Sequence, residues 1–124
     1  MVVEGVSQRI MIVEGKTDKN HLKTIIDEDI EIICTFGTLG VERLDELIHK
    51  YDLDHQDVFV LVDEDDSGQS IRNMLIRELP HAIHLYVSEA YREVALTPRQ
   101  TLAIDLVKHG IKVKPDYLNA TDKL

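Results

Sequence analysis

Short β-branched runs alternate along this chain with segments whose apolar residues fall three or four positions apart. Ile10, Met11, Ile12 and Val13 give a strand over residues 8–13. Leu22, Ile25 and Ile26 then recur at helical spacing and predict a helix over about 17–26. A second strand is read over 30–35, and Leu44, Leu47 and Ile48 place a helix near 41–50 after a Gly37-to-Gly40 turn. A third strand over 57–62 leads to a helix over about 68–79 that stops before Pro80, and 82–87 reads as a fourth strand. A last helix carries its own boundaries: Thr97 and Gln100 form a capping-box pair, Pro98 suits the first turn, and Gly110 suits the position after the end. Residues 111–114 alternate as a short edge strand would, with Pro115 ending it. Strand–helix alternation of this kind predicts a three-layer α/β domain with a mainly parallel sheet of about four strands.

Chemistry enters at the ends of the first and third strands. Ile10–Val13 is followed by Glu14-Gly15-Lys16-Thr17-Asp18, and the third strand by Asp63-Glu64-Asp65-Asp66-Ser67-Gly68. Open parallel sheets bind ligands at the carboxyl ends of their strands, at the point where the strand order reverses. If strands one and three are neighbours, in the order 2-1-3-4, then Glu14, Asp63 and Asp65 share one crevice. Like charges raise one another's pKa, so a hard divalent cation such as Mg²⁺ gives a reason for the cluster. Strand alternation sends Asp63 and Asp65 to one side, to share the cation, and Glu64 and Asp66 to the other, towards water or the edge of the site. Gly15 allows a sharp turn or the close approach of a ligand, and Lys16 adds a point charge for phosphate at a helix start. The plainer alternative makes Glu14 and Lys16 a solvated strand end and Asp18 an ordinary helix-start acid. Ser67 is a cap candidate for the next helix, and Gly68 permits a tight turn.

Composition narrows the partners. With 124 residues, 44% hydrophobic and 30% charged, the chain reads as one soluble globular domain over 1–124. No apolar run approaches the ~20 residues that cross a bilayer, and residues 1–5 lack the basic start of a secretory signal. A cytoplasmic location without membrane contact is therefore expected. Cys34 is the single cysteine, which leaves no disulfide framework or multi-cysteine zinc site; its apolar run suits a buried thiol. The net charge of −9 argues against a simple nucleic-acid-binding surface. Residues 99–124, however, carry five Lys/Arg against three Asp, so the tail is locally basic. The acidic run is not an EF-hand: its twelfth position is Met74, and a strand precedes it. The six histidines show no ligand spacing, and no serine has a nucleophile-elbow setting. Tyr86, Glu89, Tyr91 and Arg92 follow the fourth strand in a loop placed to close over the site.

Together these residues resemble the Toprim domain shared by topoisomerases, bacterial primases and certain nucleases. Glu14, Gly15 and Asp18 match its first motif; Asp63, Asp65 and Gly68 match its second. The Thr35-Phe36-Gly37 turn looks like the family's turn after strand two. The likeness spans about residues 8–92, with a C-terminal helix and tail over about 93–124. It is closest to small free-standing Toprim proteins related to the catalytic part of a ribosomal-RNA-maturing ribonuclease. The resemblance implies a three-layer Rossmann-like fold, Glu14 as general acid/base, and Asp63 and Asp65, joined by Glu14, as ligands of Mg²⁺ or Mn²⁺. It implies Mg²⁺-dependent phosphodiester chemistry on nucleic acid, with RNA cleavage first. Gly15 and Lys16 would lie against phosphate, with Asp18, Asp66 and Gly68 in support. The second reading is a non-catalytic module that binds metal and nucleic acid, or a protein partner that supplies recognition. Relaxation of DNA and primer synthesis are not expected, because the motifs that serve them elsewhere are missing from these residues.

Overall fold

A computed structural model describes residues 8–37 and 39–119. The start at residues 1–5, Thr38 in the glycine turn, and the tail charges Asp122 and Lys123 lie outside the described residues. Strands β1 (Arg9–Val13), β2 (Ile30–Cys34), β3 (Asp57–Leu61) and β4 (Ile83–Leu85) form one sheet in the order β2-β1-β3-β4. All three pairings are parallel, as the alternation with helices requires. Helices α1 (Lys16–Lys23), α2 (Val41–Tyr51), α3 (Asp66–Glu78), α4 (Arg99–Lys108) and α5 (Pro115–Asn119) surround it, with a 3₁₀ turn at Leu53–His55.

The strand alternation divides the core in two. Met11, Val13, Phe59 and Leu61 point to one face and pack with Leu22 of α1 and Leu102, Ala103 and Leu106 of α4. Ile10, Ile12, Val58 and Val60 point to the other and pack with Leu44 and Leu47 of α2 and Ile71 and Leu75 of α3. Both faces of β1 and β3 are thus buried, which is why these strands read as unbroken apolar runs. The expected three-layer α/β architecture and strand order are both present.

Several boundaries differ from the sequence reading, each for a local reason. Helix α1 stops at Lys23, not Ile26, because the backbone beyond it pairs elsewhere. Ile25 C=O accepts from Lys114 N–H (2.9 Å), and Asp27 N–H donates to Lys112 C=O (2.8 Å). The expected edge strand over 111–114 is therefore reduced to a single antiparallel bridge, Ile26 to Val113. Pro115 opens α5 rather than ending a strand, a position its missing N–H suits. The Thr97–Gln100 capping box does not form. Thr97 Oγ1 donates to Glu93 C=O (2.8 Å), and α4 begins one residue later, with Pro98 at its N-cap. At the other end Gly110, at φ +77°, closes α4 as expected: its N–H meets Val107 C=O (2.9 Å), and Ile111 N–H meets Leu106 C=O (3.0 Å).

Candidate metal and phosphate site

Because β1 and β3 are adjacent and parallel, the residues that follow them emerge side by side. Glu14 leaves β1 and its Oε1 accepts the backbone N–H of Asp63 at 2.8 Å. The first motif is thereby tied to the second across 49 positions of sequence. Asp63 is held in turn by the segment after β4: its Oδ1 accepts Val94 N–H at 2.8 Å. Asp65 is the N-cap of α3, where its Oδ1 accepts Gly68 N–H at 2.7 Å. The cap is thus Asp65 rather than Ser67, because α3 opens at Asp66, two residues before the expected start, and leaves Ser67 inside the first turn. Asp18 is buried in α1 and its Oδ2 accepts Gly15 N–H at 3.1 Å. It is therefore a fixed part of the turn after β1, not a solvated helix-start acid.

These carboxylates feel one another. Burial raises the pKa of Glu14 above 4.5, against the pull of the Asp63 N–H, and the charges of Asp63, Asp65 and Asp18 add to the rise. Burial and then Asp63 raise Asp18. Burial raises Asp63 as well, opposed by the Val94 N–H and aided by Asp65. A folded-state pKa above the unfolded one contributes stability at low pH that is lost as pH rises through the raised value. Asp63→Asn keeps an acceptor for Val94 and removes one charge. In EDTA its melting temperature is expected to exceed that of the parent at pH 7.5, with the gap closing as pH falls towards 3.8. A parent protein at least as stable as the variant at pH 7.5 would contradict this electrostatic account.

The donor set suits a hard divalent cation: all oxygen and mutually repelling, with Glu14 and Asp63 half-buried and Asp65 exposed. Among the described residues no three acidic, His or Cys side chains close into a ready-made cage. Mg²⁺ commonly takes only one or two protein carboxylates and keeps several waters, a number that Asp63 and Asp65, with Glu14 alongside, could supply. In each of the three, one oxygen is held by a backbone N–H.

Other expected residues fall differently. Glu64 is half-buried, with only part of its side chain towards water. Its Oε1 is buried, lacks a hydrogen-bond partner and lies 3.6 Å from the guanidinium of Arg72. Arg72 is 2% exposed, donates to Leu85 C=O (3.1 Å) and stacks on Tyr86 at 4.1 Å. Arg72 had no signal in the sequence, where it reads as one more polar position on a helix. Asp66 is exposed at the start of α3, and Lys16 is exposed at the start of α1. Gly15 sits at φ −142°, ordinary extended backbone, so no sharp turn calls for glycine there.

Gly68 lies inside α3, so its role is close approach rather than a tight turn. A Cβ there would collide with the Asp63 carbonyl oxygen and lie 3.1 Å from Glu14 Oε1. The segment after β4 does come to the site: Glu64 N–H donates to Arg92 C=O (2.7 Å), and Arg92 turns through φ +62° to make that contact. Glu64, Glu89 and Arg92 line a cavity of about 380 Å³ beside the acidic cluster.

Comparison with known proteins bears out the fold and the family. A family model described as Toprim domain matches residues 9–90. The uncharacterised protein YusF of Bacillus subtilis (strain 168) is 43% identical over 112 residues, covering 90% of this chain and 75% of YusF. Ribonuclease M5 of Mycoplasma mycoides subsp. mycoides SC is 33% identical over 76 residues. That match covers 61% of this chain and 42% of the ribonuclease, less than half its length. The structure of a small TOPRIM domain protein from Bacillus stearothermophilus superimposes with a TM-score of 0.84 at 36% identity, over 91% of this chain and 94% of that one.

Proposed function

The chain belongs to the Toprim domain family, and from that premise we propose that it carries out Mg²⁺-dependent phosphodiester chemistry on nucleic acid, with RNA cleavage as the reaction. The observation that carries the proposal is the Glu14–Asp63 link. It sets a carboxylate of raised pKa against the neighbouring acidic pair at the carboxyl ends of two parallel strands. Asp63 and Asp65 hold the cation in this reading, with Mn²⁺ as its substitute. When bound, the ion supplies charge neutralisation at the phosphate and polarises a water.

Glu14 serves as general acid/base. Its partial burial and acidic neighbours bring its pKa closer to neutrality, the direction that proton transfer at ordinary pH requires. Asp18 holds the Gly15 N–H, and Gly15 presents no side chain to an approaching phosphate. Lys16, exposed at the start of α1, adds positive charge beside it. The choice of RNA rests on the ribonucleases that share 33% identity with this chain. A cytoplasmic location goes with that choice, as does a protein partner for recognition. Among the described residues no helix is long and apolar enough to cross a membrane.

The test is cleavage of an end-labelled panel of structured RNAs in Mg²⁺ and in EDTA. Defined cuts in Mg²⁺ and none in EDTA are expected. Cuts that persist in EDTA would remove the metal from the reaction. An uncut panel, together with metal binding seen by calorimetry, would turn the reading to the non-catalytic module.

A further inference from the structure

Strand β2 lies at the edge of the sheet, paired on one side with β1. Helices α1 and α2 cover opposite faces of the sheet, so their side chains meet around this open edge. The result is a groove of about 260 Å³ floored by the Ile32–Cys34 end of β2 and walled by Lys19, Phe36, Arg43, Lys50 and Tyr51. Among the described residues its lining holds three cations and no acid, in a chain with 23 acidic residues against 14 basic ones. On α2, Arg43, Leu47 and Lys50 fall at i, i+4 and i+7 and share the face towards β2; Glu46, three residues after Arg43 and four before Lys50, stands at the rim of that face outside the groove lining, and Glu42 and Asp45 fall further round.

The end of the groove nearest the acidic cluster is marked by Phe36. Its N–H donates to Glu14 C=O at 2.7 Å, so it stands directly beside the candidate general base. The residue is 70% exposed. The backbone is at φ +56°, a region a bulky side chain enters only under strain. Gly37 follows at φ +101°, and Thr35 Oγ1 fastens the turn by donating to Gly37 C=O at 3.1 Å. Charges often guard an open sheet edge against other strands, and three cations do so here. Guarding does not call for an exposed aromatic ring held in a strained turn next to Glu14.

We propose that this groove binds unpaired nucleotides of an RNA substrate, one base stacked on Phe36 and the neighbouring phosphates on Lys19, Arg43 and Lys50. Alternating aromatic and basic contacts are how proteins track single strands without reading sequence. The inference rests on the reading of RNA as substrate and names the part of it that is held: a single-stranded stretch adjoining the bond presented to Glu14. Tyr51, already covered by Lys50 at 5.2 Å, forms the far wall.

Binding separates this proposal from catalysis. Fluorescence anisotropy of a labelled ten-nucleotide unstructured RNA, in EDTA, reads affinity with no cleavage. Phe36→Ala is expected to weaken binding about tenfold. The Arg43→Glu, Lys50→Glu double variant should weaken it further and reduce the log–log salt slope by about 1.4. Phe36→Gly gives opposite signs: the same loss of affinity, with a melting temperature about 2–4 °C higher because the strained turn relaxes.

Unchanged affinity in these variants, no RNA binding by the parent, or preference for an acidic extended peptide along β2 would each overturn the groove. Cleavage in Mg²⁺ by a protein whose groove variants bind normally would overturn the groove and leave the nuclease reading standing. Groove-dependent binding with no cleavage would do the reverse.

Discussion

Glu14→Gln is expected to lower Mg²⁺-dependent RNA cleavage by about 10²–10⁴-fold, the range general acid–base groups supply, without weakening the fold. The Gln side-chain oxygen can still accept the Asp63 N–H that Glu14 accepts at 2.8 Å, so β1 and β3 stay tied at their ends. What disappears is a titratable carboxyl in a crowded acidic cluster. Because burial and the charges of Asp63, Asp65 and Asp18 outweigh the Asp63 N–H and raise its pKa, its ionised form costs the fold stability. That cost is absent below 4.5 and grows as pH rises through the raised value. At pH 7.5 in EDTA the variant should therefore melt no lower than the parent, and lost activity could not be laid to unfolding. Full cleavage by Glu14→Gln would remove Glu14 from the chemistry while leaving the metal pair in place.

Gly68→Ala should damage both stability and activity. An added Cβ meets the Asp63 carbonyl oxygen, sits 3.0 Å from the Asp63 carbonyl carbon and 3.1 Å from Glu14 Oε1. Backbone on one side and an anchored carboxylate on the other leave nothing soft to yield, so α3 must move away from the end of β3. Overpacking of this kind costs about 2–3 kcal/mol, or roughly 10 °C in melting temperature for a domain of this size. Displacing Glu14 and Asp63 by about 1 Å should cost cleavage about 100-fold. Gly15→Ala is the control for stability. Its Cβ would meet only Asp18 Oδ2, at 3.9 Å, and φ −142° accepts any residue, so its melting temperature should stay near the parent's. Equal melting temperatures for the two alanine variants would show that Gly68 is not tightly enclosed.

The parallel sheet and its order were legible before any coordinate. Apolar runs too continuous for a half-exposed strand, each followed by a helical pattern, leave few arrangements open. The acidic motifs after β1 and β3 then asked for those strands to be neighbours, and the register pairs Ile10 with Val58 and Ile12 with Val60. Caps were less legible, because a cap is a competition among nearby acceptors. Asp65 caps α3 through the Gly68 N–H two residues ahead of Ser67, and Glu93 C=O takes the Thr97 hydroxyl that would have capped α4.

Sequence periodicity reports which face a residue occupies and nothing about which residue stands opposite it. It could therefore place Glu14, Asp63 and Asp65 at one end of the sheet, while the turn at Phe36 came from the family resemblance. The partners of these groups were decided by tertiary packing. The Val94 N–H holds Asp63 from 31 positions away. Arg72 draws one oxygen of Glu64 inward, leaving the rest of a side chain that alternation sends to water half-exposed. The basic groove at the β2 edge exists only because α1 and α2 lie on opposite faces of the sheet and meet around its open side. Each of these depends on one side chain or backbone donor completing another's unpaired group, which burial enforces and a one-dimensional pattern does not encode.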